Sequence, residues 1–262
     1  MQLDSSCTAL VTGASGGLGG AIARALHAAG ARVVVHGRRA DALASLAAEI
    51  GARVVVADLA KREDVARLAA EAGEVDVLVA NAALPASGPL FEFSEEEIDR
   101  ALDVNLRAPI ALARRLAPGM VARGRGQIVM VSSIAGKVAS PGTSLYSATK
   151  FGLRGFALGL RQDLAPAGVG VTGVYPGFIR DAGMFAETGV KLPMGVGTRS
   201  PEDVAAAVLR AVREDPAEID VASVEQRAGG WLTALSPALV NHLQSRFSAL
   251  SEAVSRGQRH KR

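Results

Sequence analysis

Residues 8–37 read TALVTGASGGLGGAIARALHAAGARVVVHG, and this stretch decides the fold. An unbroken apolar run, TALVTG (8–13), passes through the glycine-rich turn TGASGGLGG (12–20) into an Ala/Leu-rich segment of helical period that closes on Gly30. A second β-branched run, RVVVHG (32–37), follows at once. Strands that are apolar throughout are buried on both faces, as in a parallel sheet. Glycines between the first strand and the first helix let the backbone approach a pyrophosphate, which then meets the partial positive charge of the helix N-terminus. Such a turn can also serve tight packing alone. Its position after the first strand favours a nucleotide.

The same alternation runs onward through RVVVADL (53–59), VDVLVAN (75–81), GQIVMVSS (126–133) and GVGVTGVYP (168–176), with EIDVAS (218–223) as a seventh short run. Repeated β-α units with right-handed crossovers predict an α/β fold, a doubly wound parallel sheet of Rossmann type with six to seven strands and helices on both faces. No linker divides the chain, so residues 1–262 are expected to form one domain. Ser94 and Glu97 form a capping box that opens a long helix to about Arg123. Residues 177–200, rich in Gly, Phe, Met and Pro, have the length of a lid or substrate loop. An extra C-terminal helix is expected within the extension 224–262, where Leu239, Leu243, Phe247, Leu250 and Val254 fall on one stripe.

Composition narrows the function. The net charge is +3 and aromatic residues make up 4% of the chain, which argues against a nucleic-acid surface. No apolar run reaches a membrane span, and the polar face of the C-terminal stripe is rich in Ser, Gln and Asn rather than Lys, against a membrane role. The first residues lack the pattern of a signal peptide, so a cytoplasmic location is expected. With Cys7 the only cysteine and four scattered histidines, no metal site is expected.

LYSATKFG (145–152) places Tyr146 four residues before Lys150 in a segment that reads as a helix start, so both side chains share a face. Taken alone, the pair is either a solvated surface pair or a tyrosine acid beside a cation. With this pair and the spacing Thr12-Gly13-x-x-x-Gly17-x-Gly19, the chain resembles the short-chain dehydrogenases/reductases over residues 7–222, in their short single-domain, NADP(H)-type branch. Asn81 stands in an altered Asn-Ala-Gly motif, Ala80-Asn81-Ala82-Ala83, and Asn105, Ser133 and Pro176-Gly177 match further motifs in order.

The resemblance implies catalytic roles for Asn105, Ser133, Tyr146 and Lys150. Tyr146 would exchange a proton with the substrate oxygen, its pKa lowered by Lys150. Ser133 would bind that oxygen, Lys150 would also hold the nicotinamide ribose, and Asn105 would keep a water in line with Lys150. Gly13, Ser15, Gly17, Leu18, Gly19, Leu59, Asn81, Ala82, Pro176, Gly177 and Ile179 would contact the cofactor, with Asp58 at the adenine. Asp181 stands where the family often has a Thr contacting the nicotinamide carboxamide. The resemblance also implies a homodimer or homotetramer built through residues 95–120 and 146–165.

The second strand ends in Gly37, where an NAD enzyme would offer Asp or Glu to the ribose hydroxyls. Arg38 follows, with Arg39 a weaker second, and guanidinium suits a phosphate. The expected cofactor is therefore NADP (NADPH). The expected reaction moves hydride between nicotinamide and a carbonyl/alcohol pair. Leu84, Pro85, Val138, Phe178, Met184 and Phe185 suggest a largely apolar ketone or aldehyde. An NAD(H)-linked alcohol dehydrogenase and a non-catalytic nucleotide sensor are the alternatives. A sugar epimerase would need a larger second substrate region.

Overall fold

The computed structural model describes residues 1–186 and 196–227. The C-terminal stripe 239–254 and much of the expected lid therefore lie outside the described residues. Strands β1 (Thr8–Thr12), β2 (Arg32–Gly37), β3 (Arg53–Val56), β4 (Val77–Ala80), β5 (Gly126–Val131), β6 (Val169–Pro176) and β7 (Glu218–Val221) form one sheet. Every pairing is parallel, in the order β3-β2-β1-β4-β5-β6-β7. The order reverses between β1 and β4, and that switch point opens a crevice at the carboxyl ends of the strands.

Helices α1 (Gly17–Ala28), α2 (Ala40–Ile50), α3 (Arg62–Ala72), α4 (Glu95–Leu102), α5 (Ala108–Ala122), α6 (Ser144–Leu164), α7 (Gly183–Ala186) and α8 (Pro201–Glu214) accompany it. Alternate strand residues feed two separate cores, as the period of two requires. Ala9, Val11, Val77 and Val79 pack with α1, α2 and α8, whereas Leu10, Leu78 and Ala80 pack with α3, α5 and α6. Among the described residues, no helix is long and apolar enough to cross a membrane.

The strands end earlier than their apolar runs. Asp58 and Leu59, expected to close β3, lie beyond its last residue, Val56, and Asn81 and Ser133 likewise stand just past β4 and β5. These residues leave the ladder to line the crevice. The helix expected from Ser94 keeps its capping box, with Glu97 N–H donating to Ser94 Oγ at 3.2 Å and Ser94 N–H to Glu97 at 2.9 Å. It is not one α-helix, however. Residues Asp103–Arg107 form a π turn between α4 and α5 that carries Asn105. Such widened turns recur at functional sites.

Candidate active site

A cavity of about 1030 Å³ runs along the carboxyl edge of the sheet. One end is built from the first turn. Gly13 takes a left-handed backbone (φ 71), and a Cβ there would lie 2.8 Å from Ala82 Cα. A Cβ at Gly19 would press on Asn81 Nδ2 at 2.8 Å, and one at Gly17 would strike Ala182. No acidic residue occupies the first turn of α1, so its positive end remains available to an anion. Thr12 Oγ1 accepts from Asn81 N (3.0 Å) and Ala82 N (3.1 Å), and Asn81 Nδ2 donates to Thr12 O at 2.9 Å. The ends of β1 and β4 are thereby stitched around a space shaped for phosphates.

Gly37 closes β2 beneath the Ser15 hydroxyl, where a Cβ would come within 2.7 Å of Ser15 Oγ. An acidic side chain at that place would collide with Ser15. Arg39, expected as the weaker arginine, bridges the cavity mouth by donating to Ser15 O. Arg38 is exposed and makes no hydrogen bond or ion pair among the described residues. Asp58 accepts from Arg100 Nη2 at 3.0 Å and from Ala60 N at 3.1 Å. Burial raises its pKa, but the Ala60 N–H and the Arg100 guanidinium outweigh this and hold it below the usual carboxylate value.

The other end gathers three of the four expected catalytic residues. Tyr146 begins α6 with its N–H donated to Ala86 O at 3.1 Å, which fixes the helix start against the loop after β4. Lys150, one turn on, is 2% exposed, with Nζ donating to Val131 O at 3.2 Å and lying 5.6 Å from the Tyr146 ring centre. Ser133 Oγ donates to Pro176 O at 3.4 Å and accepts from Ala135 N at 3.1 Å. The neighbouring Ser132 hydroxyl donates to Lys150 O at 3.1 Å, a structural bond of the kind expected for it. Leu84, Val138, Phe178, Ile179, Met184 and Phe185 supply the apolar wall.

Three expectations need correction. Lys150 does not lower the Tyr146 pKa here: burial pushes the phenol up to about 12, and the hydrogen bond with Ser133 is what opposes it. Burial also pushes Lys150 itself down, to about 8. Asn105 lies outside the cavity wall, with its side chain wholly engaged: Oδ1 accepts from Leu84 N at 2.7 Å and Nδ2 donates to Leu84 O at 2.9 Å. It holds the loop that bears Leu84 and Pro85. Asp181 also lies outside the wall. Its left-handed backbone (φ 66) turns the carboxylate outward to Arg180 Nε at 3.3 Å, and Ala182 lines the cavity instead.

Sequence reasoning missed His36, Glu225 and Gln226, all on the cavity wall. His36 is buried with Nε2 against Ala57 O at 3.1 Å, and burial pushes its pKa down to about 4. Its position at the end of β2 was the only available signal. Gln226 follows β7 and had none.

A cavity that offers a phosphate cradle at one end and a phenol with a buried ammonium at the other is the equipment of a nicotinamide-dependent oxidoreductase. Residues 7–192 match the family model described as short chain dehydrogenase, and the chain belongs to that family of oxidoreductases. It is 43% identical to Nodulation protein G of Rhizobium meliloti (strain 1021) over 180 residues, 66% of this chain and 74% of that protein. It is 36% identical to a 3-oxoacyl-acyl-carrier-protein reductase, FabG, of Rickettsia conorii over 210 residues, 77% of this chain and 87% of that one. A solved metagenomic short-chain oxidoreductase in complex with NADP superposes with a TM-score of 0.71 at 34% identity, covering 84% of this chain and 98% of the other.

Proposed function

We propose that this chain, acting as one catalytic domain over residues 1–262, is an NADPH-dependent reductase of a largely apolar ketone or aldehyde. The observation that carries the reading is the convergence of Tyr146, Ser133 and Lys150 at the apolar end of a cavity whose other end cradles phosphates. NADPH, when bound, supplies the hydride. Tyr146 donates the proton to the substrate oxygen, and Ser133 orients that oxygen by a hydrogen bond. A phenol whose pKa is raised to about 12 holds its proton through neutral pH, which suits the direction of reduction. Lys150 brings positive charge beneath the reacting oxygen and is placed to hold the nicotinamide ribose. Asn105 fixes the Leu84 loop, which sets the depth at which the substrate sits.

The preference for NADP(H) rests on Gly37, which leaves room for a phosphate, and on Arg38, whose guanidinium is uncommitted. The NADP title of the similar solved oxidoreductase supports the same choice. A hydrogen bond to a charged group contributes roughly 1.5–3 kcal/mol, so Arg38 implies about a ten- to hundredfold preference. Exposed Leu102, Val121 and Phe151 on α4, α5 and α6 support association into a homodimer or homotetramer through those helices. The test is a panel of carbonyls with NADPH and NADH, followed by near-ultraviolet absorbance, for wild type and Arg38→Ala. NADPH preference in the wild type and its loss in the variant are expected. Equal use of both cofactors by the wild type would overturn the NADP(H) assignment.

A further inference from the structure

Two buried polar atoms of cavity-lining side chains lack a hydrogen-bond partner among the described residues: His36 Nδ1 and Gln226 Nε2. The first belongs to the end of β2, beside Gly37. The second belongs to the substrate end. The Gln226 amide packs directly on Gly177, so closely that no side chain could stand there. Gly177 follows Pro176, whose carbonyl accepts from Ser133 Oγ at 3.4 Å. The amide therefore lies one residue from the peptide group that touches the catalytic serine.

Its orientation is fixed. Ser223 N donates to Gln226 Oε1 at 3.3 Å, and only an oxygen can accept there, so Nε2 is the free end. Leaving such a donor buried and unsatisfied costs about 1–3 kcal/mol. The other hydroxyls of this wall are committed: Thr143 Oγ1 donates to Ser140 O at 2.7 Å, and Ser133 is held as above. A single uncommitted donor on an apolar wall orients what binds there.

We propose that Gln226 is a specificity-determining residue that donates through Nε2 to a second acceptor oxygen on the substrate, one close to the reacting carbonyl. The favoured class is then a ketone with a neighbouring carbonyl, such as a β-keto ester or thioester, over a plain ketone of equal length. This inference rests on the reductase reading above.

The test compares ethyl acetoacetate with 2-heptanone, which has the same chain length and lacks the second carbonyl, in wild type, Gln226→Leu and Gln226→Glu. Gln226→Glu keeps an oxygen for Ser223 N and loses only the donor. Taking each variant against wild type on the same ketone cancels the intrinsic reactivity of the β-keto ester. The expected result is about a tenfold fall in kcat/KM for the β-keto ester, from a lost hydrogen bond of about 1.4 kcal/mol, with 2-heptanone within about twofold and the Kd of NADPH unchanged. Equal losses on both ketones, no loss on either, or weakened NADPH binding would overturn the inference and leave the reductase reading standing. Failure of the wild type to reduce any carbonyl would overturn both.

Discussion

The chain has two tyrosines, and each has a lysine near its ring. Lys137 Nζ lies 4.1 Å from the Tyr175 ring centre, closer than the 5.6 Å that separates Lys150 Nζ from Tyr146. Proximity alone would therefore choose the wrong pair. Lys137 is neutralised by Glu218 at 3.2 Å and Asp220 at 2.6 Å, and Arg154 also holds Glu218, at 2.7 Å. Burial first, and then the Glu218 carboxylate, push the Tyr175 phenol far above its ordinary value. Its ring folds back over Gly173, fully buried, with no route to a substrate. Lys150 has no carboxylate partner, only the Val131 carbonyl, so its charge remains available to the cavity. A tyrosine becomes an acid catalyst through an open face and an unneutralised cation. A nearby lysine does not suffice.

The largest expected effect is at Lys150. Lys150→Met should lower kcat/KM at least about a hundredfold, the scale of a lost electrostatic contact at the reacting oxygen. The same change should stabilise the fold. The folded-state pKa is depressed from 10.5 to about 8, so the unfolded chain binds more protons between those values. The destabilisation is fully present below pH 8 and is released as pH rises to about 10.5. At 1.36 kcal/mol per unit the burden is about 3 kcal/mol, partly offset by the bond to Val131. Denaturant titrations should find Lys150→Met about 2 kcal/mol more stable at pH 7, with the gap closing above pH 8. A variant that is less stable at pH 7 would break the comparison.

Lys137→Met should behave in the opposite way. It leaves Asp220 unpaired and Glu218 with Arg154 alone, which should cost about 2 kcal/mol of stability. Its kcat should stay within a few-fold of wild type when measured well below the melting transition. The smallest effect belongs to Tyr175→Phe, whose hydroxyl has no hydrogen-bond partner meeting geometric criteria among the described residues. Its stability should change by less than about 1 kcal/mol, and its activity by no more than about twofold.

What was legible in the sequence follows the same division between local and distant causes. The phosphate cradle needs contiguous glycines, and the Tyr146–Lys150 face needs only helical spacing, so both could be read from the chain. The missing acid at Gly37 was equally plain, because it is one residue at one strand end. Asn105 was found by its motif, yet its work on Leu84 depends on a π turn that no residue pattern announces. Asp181 was placed by counting from Pro176-Gly177, and a single left-handed residue turned it away. The raised pKa of Tyr146 and the depressed pKa of Lys150 arise from burial, which exists only once the loop after β4 and the segment after β6 enclose the cavity. Gln226 reaches the site only because β7 pairs with β6 and returns the chain beside Gly177.

The central claim is that Tyr146, and not Tyr175, gives up the proton during reduction. The direct measurement is the initial rate of NADPH oxidation with one accepted ketone for wild type, Tyr146→Phe and Tyr175→Phe, with NADPH affinity determined for each. The account predicts that Tyr146→Phe loses at least about a hundredfold in kcat with its NADPH affinity nearly intact, while Tyr175→Phe turns over at close to the wild-type rate. Near-normal turnover by Tyr146→Phe would contradict it.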